Sequence, residues 1–337
     1  MAVTLKDVAE RAGVSRSAVS RTFTSGASVS DKTRAKVEKA VSELGYSPNA
    51  LASSLTTGRT KLIGLVSNNF HNPLFLEVFD LFTRGLQDRG LRPLLVNLSN
   101  ETDPANSVRM LRQYSVDGVI VASSTLPPSF AEGFRNAGVP VVHSFGRYTT
   151  APYVHVVGID NIACGRMAAE ALMSRGCSRL AFLGGPEEAT STQDRALGFF
   201  SALAEHPEIT ASVSYASAYT FDAGRAEMQR LLAADPAEAY FCGDDVLSIG
   251  ALSAIQDAGL RVPEDIGLIG FNDMEMAGWQ NINLTTIRQP IAEIIEASID
   301  LVVGTIAAPD RHPETRLFPC KVLERGTLRA LKNPSSP

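Results

Sequence analysis

From Leu62 onward, unbroken runs of Val, Ile and Leu alternate with amphipathic stretches of helical length, and this alternation constrains the fold more than any other property of the chain. The runs read as strands at Leu62–Ser67, Pro93–Leu98, Gly118–Ala122, Val139–Val142, Val154–Ile159, Leu180–Leu183, Val213–Tyr215, Tyr240–Cys242 and Ile266–Phe271. Helices are predicted between them, among others at Leu74–Gly90, Ile162–Gly176, Gln193–Glu205 and Val246–Gly259. Strands apolar on both sides must be covered on both faces, so the pattern calls for parallel sheets under helices, the α/β class. At 337 residues the chain exceeds what one hydrophobic core normally supports, and more than one domain is expected.

The first sixty residues follow a different rule. Thr4 and Asp7 are spaced as a capping box ahead of a helix Leu5–Ala12, and Gly13 supplies a tight turn that tolerates positive φ. Ser15 caps a second helix, Arg16–Phe23, with Val19 and Phe23 directed inward at i, i+4. Ser30 caps a third, Asp31–Leu44, with Val37, Ala40, Val41 and Leu44 on its core face. Two short helices across a glycine turn, braced by a third, have helix-turn-helix geometry, although capping and periodicity alone also fit other small helical bundles.

Charge separates the same two regions. Residues 1–61 hold ten Lys/Arg and five Asp/Glu, while the whole chain carries −5, so the remainder carries −10. A basic head on an acidic body meets polyanions at one end only.

The head sequence TLKDVAERAGVSRSAVSRTF, with VSDKTRAKVEKAVSELGYSPNALASSL after it, closely resembles the lactose-repressor/galactose-repressor (LacI/GalR) family. That family shows T-x-x-D-V-A-x-x-A-G-V-S-x-x-T-V-S-R and then Y-x-P-N-x-x-A-x-x-L, from which this head departs at Ala18, and the resemblance continues at lower density to the C-terminus. It implies a sequence-specific DNA-binding transcription regulator, a repressor by the family's commoner behaviour, working as a homodimer on double-stranded operator DNA. Thr4, Ser15, Arg16, Ser17, Ser20, Arg21, Thr33, Asn49, Ala52 and Leu55 are the implied DNA-facing residues. Arg16 has the bidentate fork that grips guanine O6 and N7, whereas Ser20, Arg21, Thr33 and Asn49 suit phosphates. Between Pro48 and Gly58 a short helix is implied, too short to be stable alone, whose Leu55 wedges into a minor-groove step. Ser53 stands where relatives often carry a longer polar or basic residue.

For the body the resemblance implies the two-lobed form of periplasmic sugar-binding proteins, joined by three crossovers. The implied boundaries are a head at 1–46, a hinge and linker at 47–60 and an effector domain at 61–337. Within it, lobe one spans about 61–160 and 291–321, and lobe two about 161–290 and 322–337.

Open α/β sheets bind ligands beyond the carboxyl ends of their strands. Those ends carry Asn68-Asn69-Phe70-His71-Asn72-Pro73, Gly146-Arg147, Asp160-Asn161, Asp244-Asp245 and Phe271-Asn272-Asp273, polar groups with an occasional aromatic that suit a sugar or similar polyol. The resemblance adds Ser191, Gln193 and Arg195 from an effector loop, Tyr219 as a stacking ring, and Gln289. Asn272 stands where aspartate is more usual. For Arg195 a salt bridge to Asp194 or Asp273 is the alternative role.

Other classes fit less well. Leu183-Gly184-Gly185-Pro186 lacks the G-x-G-x-x-G spacing of a dinucleotide turn, and no G-x-x-x-x-G-K-[ST], G-x-S-x-G or H-E-x-x-H occurs. His71, His143, His155, His206 and His312 are scattered, so no catalytic residues, metal site or cofactor are expected. Cys164, Cys177, Cys242 and Cys320 are widely spaced and read as free buried thiols. No apolar run reaches membrane-spanning length and the start lacks a signal-like apolar region, so a cytoplasmic protein is expected.

Overall fold

The structure is a computed structural model that describes residues 3–23, 27–47, 54, 58–98 and 104–331. The chain divides at Lys61 into two units, each with its own core.

The first unit holds α1 (Leu5–Ala12), α2 (Arg16–Thr22) and α3 (Asp31–Leu44). The expected capping box forms: Asp7 N–H donates to Thr4 Oγ1, and Thr4 N–H returns to the Asp7 carboxylate at 2.8 Å. Gly13 ends α1 at φ 64°, and Ser15 Oγ accepts from Ala18 N–H to start α2. Val8, Ala9, Ala12, Val19, Val37 and Ala40 make the core. Phe23 departs from expectation. The helix stops at Thr22, so the i, i+4 spacing from Val19 lapses, and Phe23 lies 40% exposed beside Tyr46.

In the second unit β1 (Leu62–Ser67), α4 (Leu74–Asp88), β2 (Arg92–Asn97), α5 (Pro104–Gln113), β3 (Gly118–Ala122), α6 (Pro128–Asn136), β4 (Val141–Ser144) and β5 (His155–Gly158) build one lobe. The second lobe follows with α7 (Asn161–Met173), β6 (Arg179–Gly184), α8 (Thr190–Leu203), β7 (Thr210–Tyr215), α9 (Phe221–Leu232), β8 (Ala239–Cys242), α10 (Asp245–Asp257), β9 (Gly267–Asn272) and β10 (Thr286–Arg288). The chain then returns to the first lobe for α11 (Ile291–Ala307) and β11 (Thr315–Leu317), and ends its strands with β12 (Lys321–Leu323) in the second.

Each lobe is a six-stranded sheet, in the orders β11-β5-β4-β3-β1-β2 and β12-β10-β9-β8-β6-β7. The chain passes between sheets at 159–160, 289–290 and 318–320. All pairings are parallel except β12 against β10, so the second sheet is mixed rather than wholly parallel. Strands β3 and β4 are buried throughout, as unbroken apolar runs require. In each sheet the strand order reverses at the first strand, β1 between β2 and β3, β6 between β7 and β8. Such reversals open a crevice at the strand ends.

Two helix pairs in the second lobe pack at backbone distance. A methyl group on Gly165 would overlap the Arg195 carbonyl, and one on Gly198 would overlap that of Ile162, so α7 and α8 touch main chain to main chain. Gly224 and Gly250 do the same for α9 and α10.

Candidate functional site

Both sheets direct their carboxyl ends at a shared, nearly closed cavity of about 20 Å³. Asn69 and Asn72 reach it from the end of β1, Ser124 from β3, Phe145 from β4 and Ile159 from β5. From the second lobe come Tyr219 after β7, Asp244 after β8, Asn272 at the end of β9 and Gln289 after β10. Asn161 and Arg195 enter from α7 and α8, and Leu74, Phe75 and Val78 on α4 form an apolar wall.

The polar side chains are already joined. Asp244 caps α10 through Val246 N–H, and its second oxygen accepts from Asn72 at 2.9 Å and Asn272 at 2.8 Å. Asn272 Oδ1 in turn accepts from Gln289 at 2.5 Å. Burial pushes the Asp244 carboxyl up to about 6, even though Val246 N–H, Asn72 and Arg195 pull the other way. Arg195, 3% exposed, donates to Asn161 at 2.8 Å and to the Gly243 carbonyl at 2.5 Å, and its guanidinium lies 3.7 Å from the Phe271 ring centre. Tyr219 hydrogen-bonds with Thr192 at 2.6 Å, and its ring lies so close over Gly185 that any Cβ there would strike it.

The lobes are bridged across this cavity. Besides Asn72 and Asp244, the Ser124 carbonyl accepts from Ser191 N–H and from the Thr190 hydroxyl, and Arg147 makes a two-point ion pair with Asp194.

Of the effector residues read from the sequence, Asn69, Arg195, Tyr219, Asp244, Asn272 and Gln289 line the cavity together. The others stand elsewhere. Phe70 lays its ring on Phe79, 4.8 Å between centres. Asp160 caps α7 through Ala163 N–H. Gln193 is exposed on α8, and Ser191 and Arg147 are engaged in the bridges. Asp273 is held by Arg288 and Arg325, each at 2.5 Å. Asn272 and Asp273 have φ 116° and 62°, and their side chains go to different surroundings, Asn272 to Asp244 and Asp273 to Arg288 and Arg325. Since Arg147 holds Asp194 and this triad holds Asp273, neither salt bridge considered for Arg195 forms. Asn72 and Asn161, read with the polar strand-end residues, also line the cavity, and Phe75, Ser124 and Phe145 complete it without having been singled out as ligand contacts. Phe145 carries one readable sign, an aromatic residue placed directly after an apolar strand.

In the head, the exposed face of α2 presents Arg16, Ser17 and Arg21. Ser15 and Ser17 share a hydrogen bond of 2.9 Å, and Arg21 donates to the Ser17 carbonyl. Thr33 joins Ser30 at the start of α3, and Ser20 lies on α2. The head's ion pairs use Glu10 with Lys6, and Glu43 with Arg11 and Lys39. Arg16, Lys32 and Lys36 make no ion pair among the described residues, so positive charge is left around the start of α2 and α3. Asn49, Ala52 and Leu55 lie outside the described residues.

Comparison with known proteins accounts for both units. Residues 4–49 match the family model described as bacterial regulatory proteins, lacI family, and residues 169–328 match a periplasmic binding protein-like domain. The chain is 32% identical over 333 residues to the HTH-type transcriptional repressor PurR of Proteus mirabilis (strain HI4320), covering 96% of each. A lac repressor dimer bound to operator and the anti-inducer ONPF superposes with a TM-score of 0.84 at 25% identity, over 98% of this chain and 100% of that one. A complex of the transcriptional regulator CelR with cellobiose gives a TM-score of 0.71 at 29% identity, over 96% and 99%.

Proposed function

Because the chain belongs to the lacI family of bacterial regulatory proteins, we propose that the cavity in its body takes a neutral polyhydroxylated effector, a sugar or sugar derivative, and thereby sets the affinity of its head for operator DNA. The protein is a DNA-binding transcriptional repressor that works as a dimer. The observation that carries the finer reading is the composition of the cavity. Asn69, Asn161, Arg195, Asp244, Asn272 and Gln289 supply donors and acceptors, while Phe75, Phe145 and Tyr219 supply faces for an apolar ring. A carbohydrate asks for that combination.

Catalysis is a poor match to the same residues. Asp244, the carboxylate among the cavity's lining residues, already accepts from Val246 N–H, Asn72 and Asn272, so it is held as a structural acceptor rather than poised beside a nucleophile. We therefore read the body as a receptor.

In the head, Arg16 is assigned to a base edge, and Ser20, Arg21 and Thr33 to phosphates. Effector and operator then communicate through the difference in effector affinity between lobe arrangements, typically about 1–3 kcal/mol in coupled sites.

A melting-temperature screen of the full chain against pentoses, hexoses, disaccharides, nucleosides and free nucleobases tests the ligand class, since a ligand of the native state raises apparent stability. A saccharide is expected to give the largest upward shift. If only a nucleobase shifts the transition, the carbohydrate assignment fails while the receptor reading stands.

A further inference from the structure

The sequence places Arg147 at a strand end among the ligand contacts, yet it takes no part in the cavity lining and reaches across to the second lobe. Its guanidinium meets the Asp194 carboxylate at two points, Nε to Oδ2 at 3.0 Å and a second nitrogen to Oδ1. Two-point pairing is the strong form of a guanidinium–carboxylate contact. The Asp194 side chain is 8% exposed and makes no other ion pair among the described residues.

Both ends of this pair are held by their surroundings. Arg147 follows Phe145, whose N–H donates to the Val157 carbonyl at 2.6 Å, and Gly146, where a Cβ would strike the His143 ring. Asp194 lies on α8 between Ser191, whose N–H crosses to the Ser124 carbonyl, and Arg195 of the cavity. The first lobe therefore grips α8 at Thr190, Ser191 and Asp194, within one turn of helix.

We propose that Arg147 and Asp194 form a latch on the cleft, and that the effector enters only when the pair parts. This rests on the reading of the cavity as the effector site. As the lobes stand, the cavity measures about 20 Å³, room for a water-sized molecule, whereas small-molecule sites run to roughly 300–1,000 Å³. Leu74, Phe75, Val78, Phe145 and Ile159 line the space and belong to the packed core, so they have little room to retreat. Volume for a ligand comes from separating the lobes.

The ion pair differs from the other bridges in one respect. Asn72, Ser124 and Asp244 line the cavity, and an arriving molecule can displace their contacts; Arg147 and Asp194 stand outside it. Their pairing sets how often the cleft opens before any ligand contact is made. Apparent affinity scales with the fraction of molecules competent to bind, so the latch lowers affinity and slows entry.

The test follows backbone amide exchange in the full chain with no ligand added. Ser191 N–H reports the parting directly, because its acceptor lies on the other lobe. Arg147→Gln and Asp194→Asn should each raise exchange over residues 189–193 at least about fivefold, and the double variant no further than either, as two ends of one contact require. Arg84→Gln, which removes an exposed ion pair within the first lobe, should leave the parent rate. Parent-like exchange in both single variants, additive increases in the double variant, or a rise along the whole of α8 would overturn the latch. Stopped-flow association of the saccharide found by the melting screen tests the gate, and should be at least about fivefold faster in Asp194→Asn. Equal association beside faster exchange would overturn gating. If the screen yields no saccharide, exchange still decides the latch, so the two readings fail separately.

Discussion

The side-chain amide of Asn72, on the first lobe, donates to the Asp244 carboxylate of the second at 2.9 Å, and both groups are buried. This one bond ties the lobes directly over the cavity. Replacing Asn72 by Ala leaves a buried carboxylate oxygen with Asn272 as its remaining side-chain donor. The expected cost is about 1–3 kcal/mol of body stability, read from denaturant unfolding, with the Asp244 carboxyl moving further above its normal range. An unchanged unfolding midpoint would show that water replaces the amide without loss.

Arg195 is expected to be intolerant of even a like-charged replacement. Its guanidinium serves Asn161 and the Gly243 carbonyl at once while stacked on Phe271, a geometry lysine cannot reproduce. Arg195→Lys should weaken effector binding at least tenfold, about 1.4 kcal/mol, in calorimetric titration with the saccharide found by the screen. Operator binding without effector should stay at the parent level. Equal effector affinity in parent and variant would remove Arg195 from the ligand contacts.

Arg16 provides the corresponding test in the head. It is exposed at the first position of α2 and makes no ion pair among the described residues, so its replacement is expected to leave the fold intact. Arg16→Ala should cost about 1–3 kcal/mol on the preferred operator and flatten preference at one base pair per half-site, measured by binding to a randomised duplex library. A uniform loss on all sequences would make Arg16 a phosphate contact.

A pH prediction follows from His143. Burial holds it neutral, lowering its pKa from 6.5 to about 4, against the opposing hydrogen bond to the Ser123 carbonyl. The folded state therefore binds fewer protons than the unfolded chain between these values. Stability from this group is complete above pH 6.5 and declines as pH falls to 4, by about 3 kcal/mol in all. Asp244, raised to about 6, slopes the opposite way, stabilising at low pH and losing that contribution as pH rises through 6. The difference in stability between the parent and His143→Gln, followed from pH 4 to pH 7, isolates the histidine. It should widen in the parent's favour as pH rises to 6.5, and a flat difference would show that His143 titrates normally.

The helices of the head and nine of the strands were readable from residue patterns because capping side chains and unbroken apolar runs are local signals. β10, β11 and β12 were not. Each has three residues, and pairing with a distant strand defines them rather than their own composition. The same division runs through the cavity. Asp244 and Asn272 sit at the ends of strands readable from the sequence, where ligand contacts are expected, whereas Gln289 follows β10 and Phe75 lies within α4, away from any strand end. Asp273 misled because the direction of its side chain depends on two successive positive φ angles, which nothing in Asn272-Asp273 announces.

The satisfied state of the cavity bears on how a ligand is chosen. Asn72, Asp244, Asn272 and Gln289 already complete one another, so an arriving molecule competes with the protein's own side chains. Each hydroxyl that displaces Asn72 or Gln289 exchanges one hydrogen bond for a similar one, and the gain is only the difference. An analogue lacking that hydroxyl forces the displacement and leaves a bare acceptor in a dry space, a penalty of about 1–3 kcal/mol. Discrimination therefore arises from failed exchange rather than from strong attraction, and a receptor of this kind binds its correct ligand only moderately while turning near-copies away.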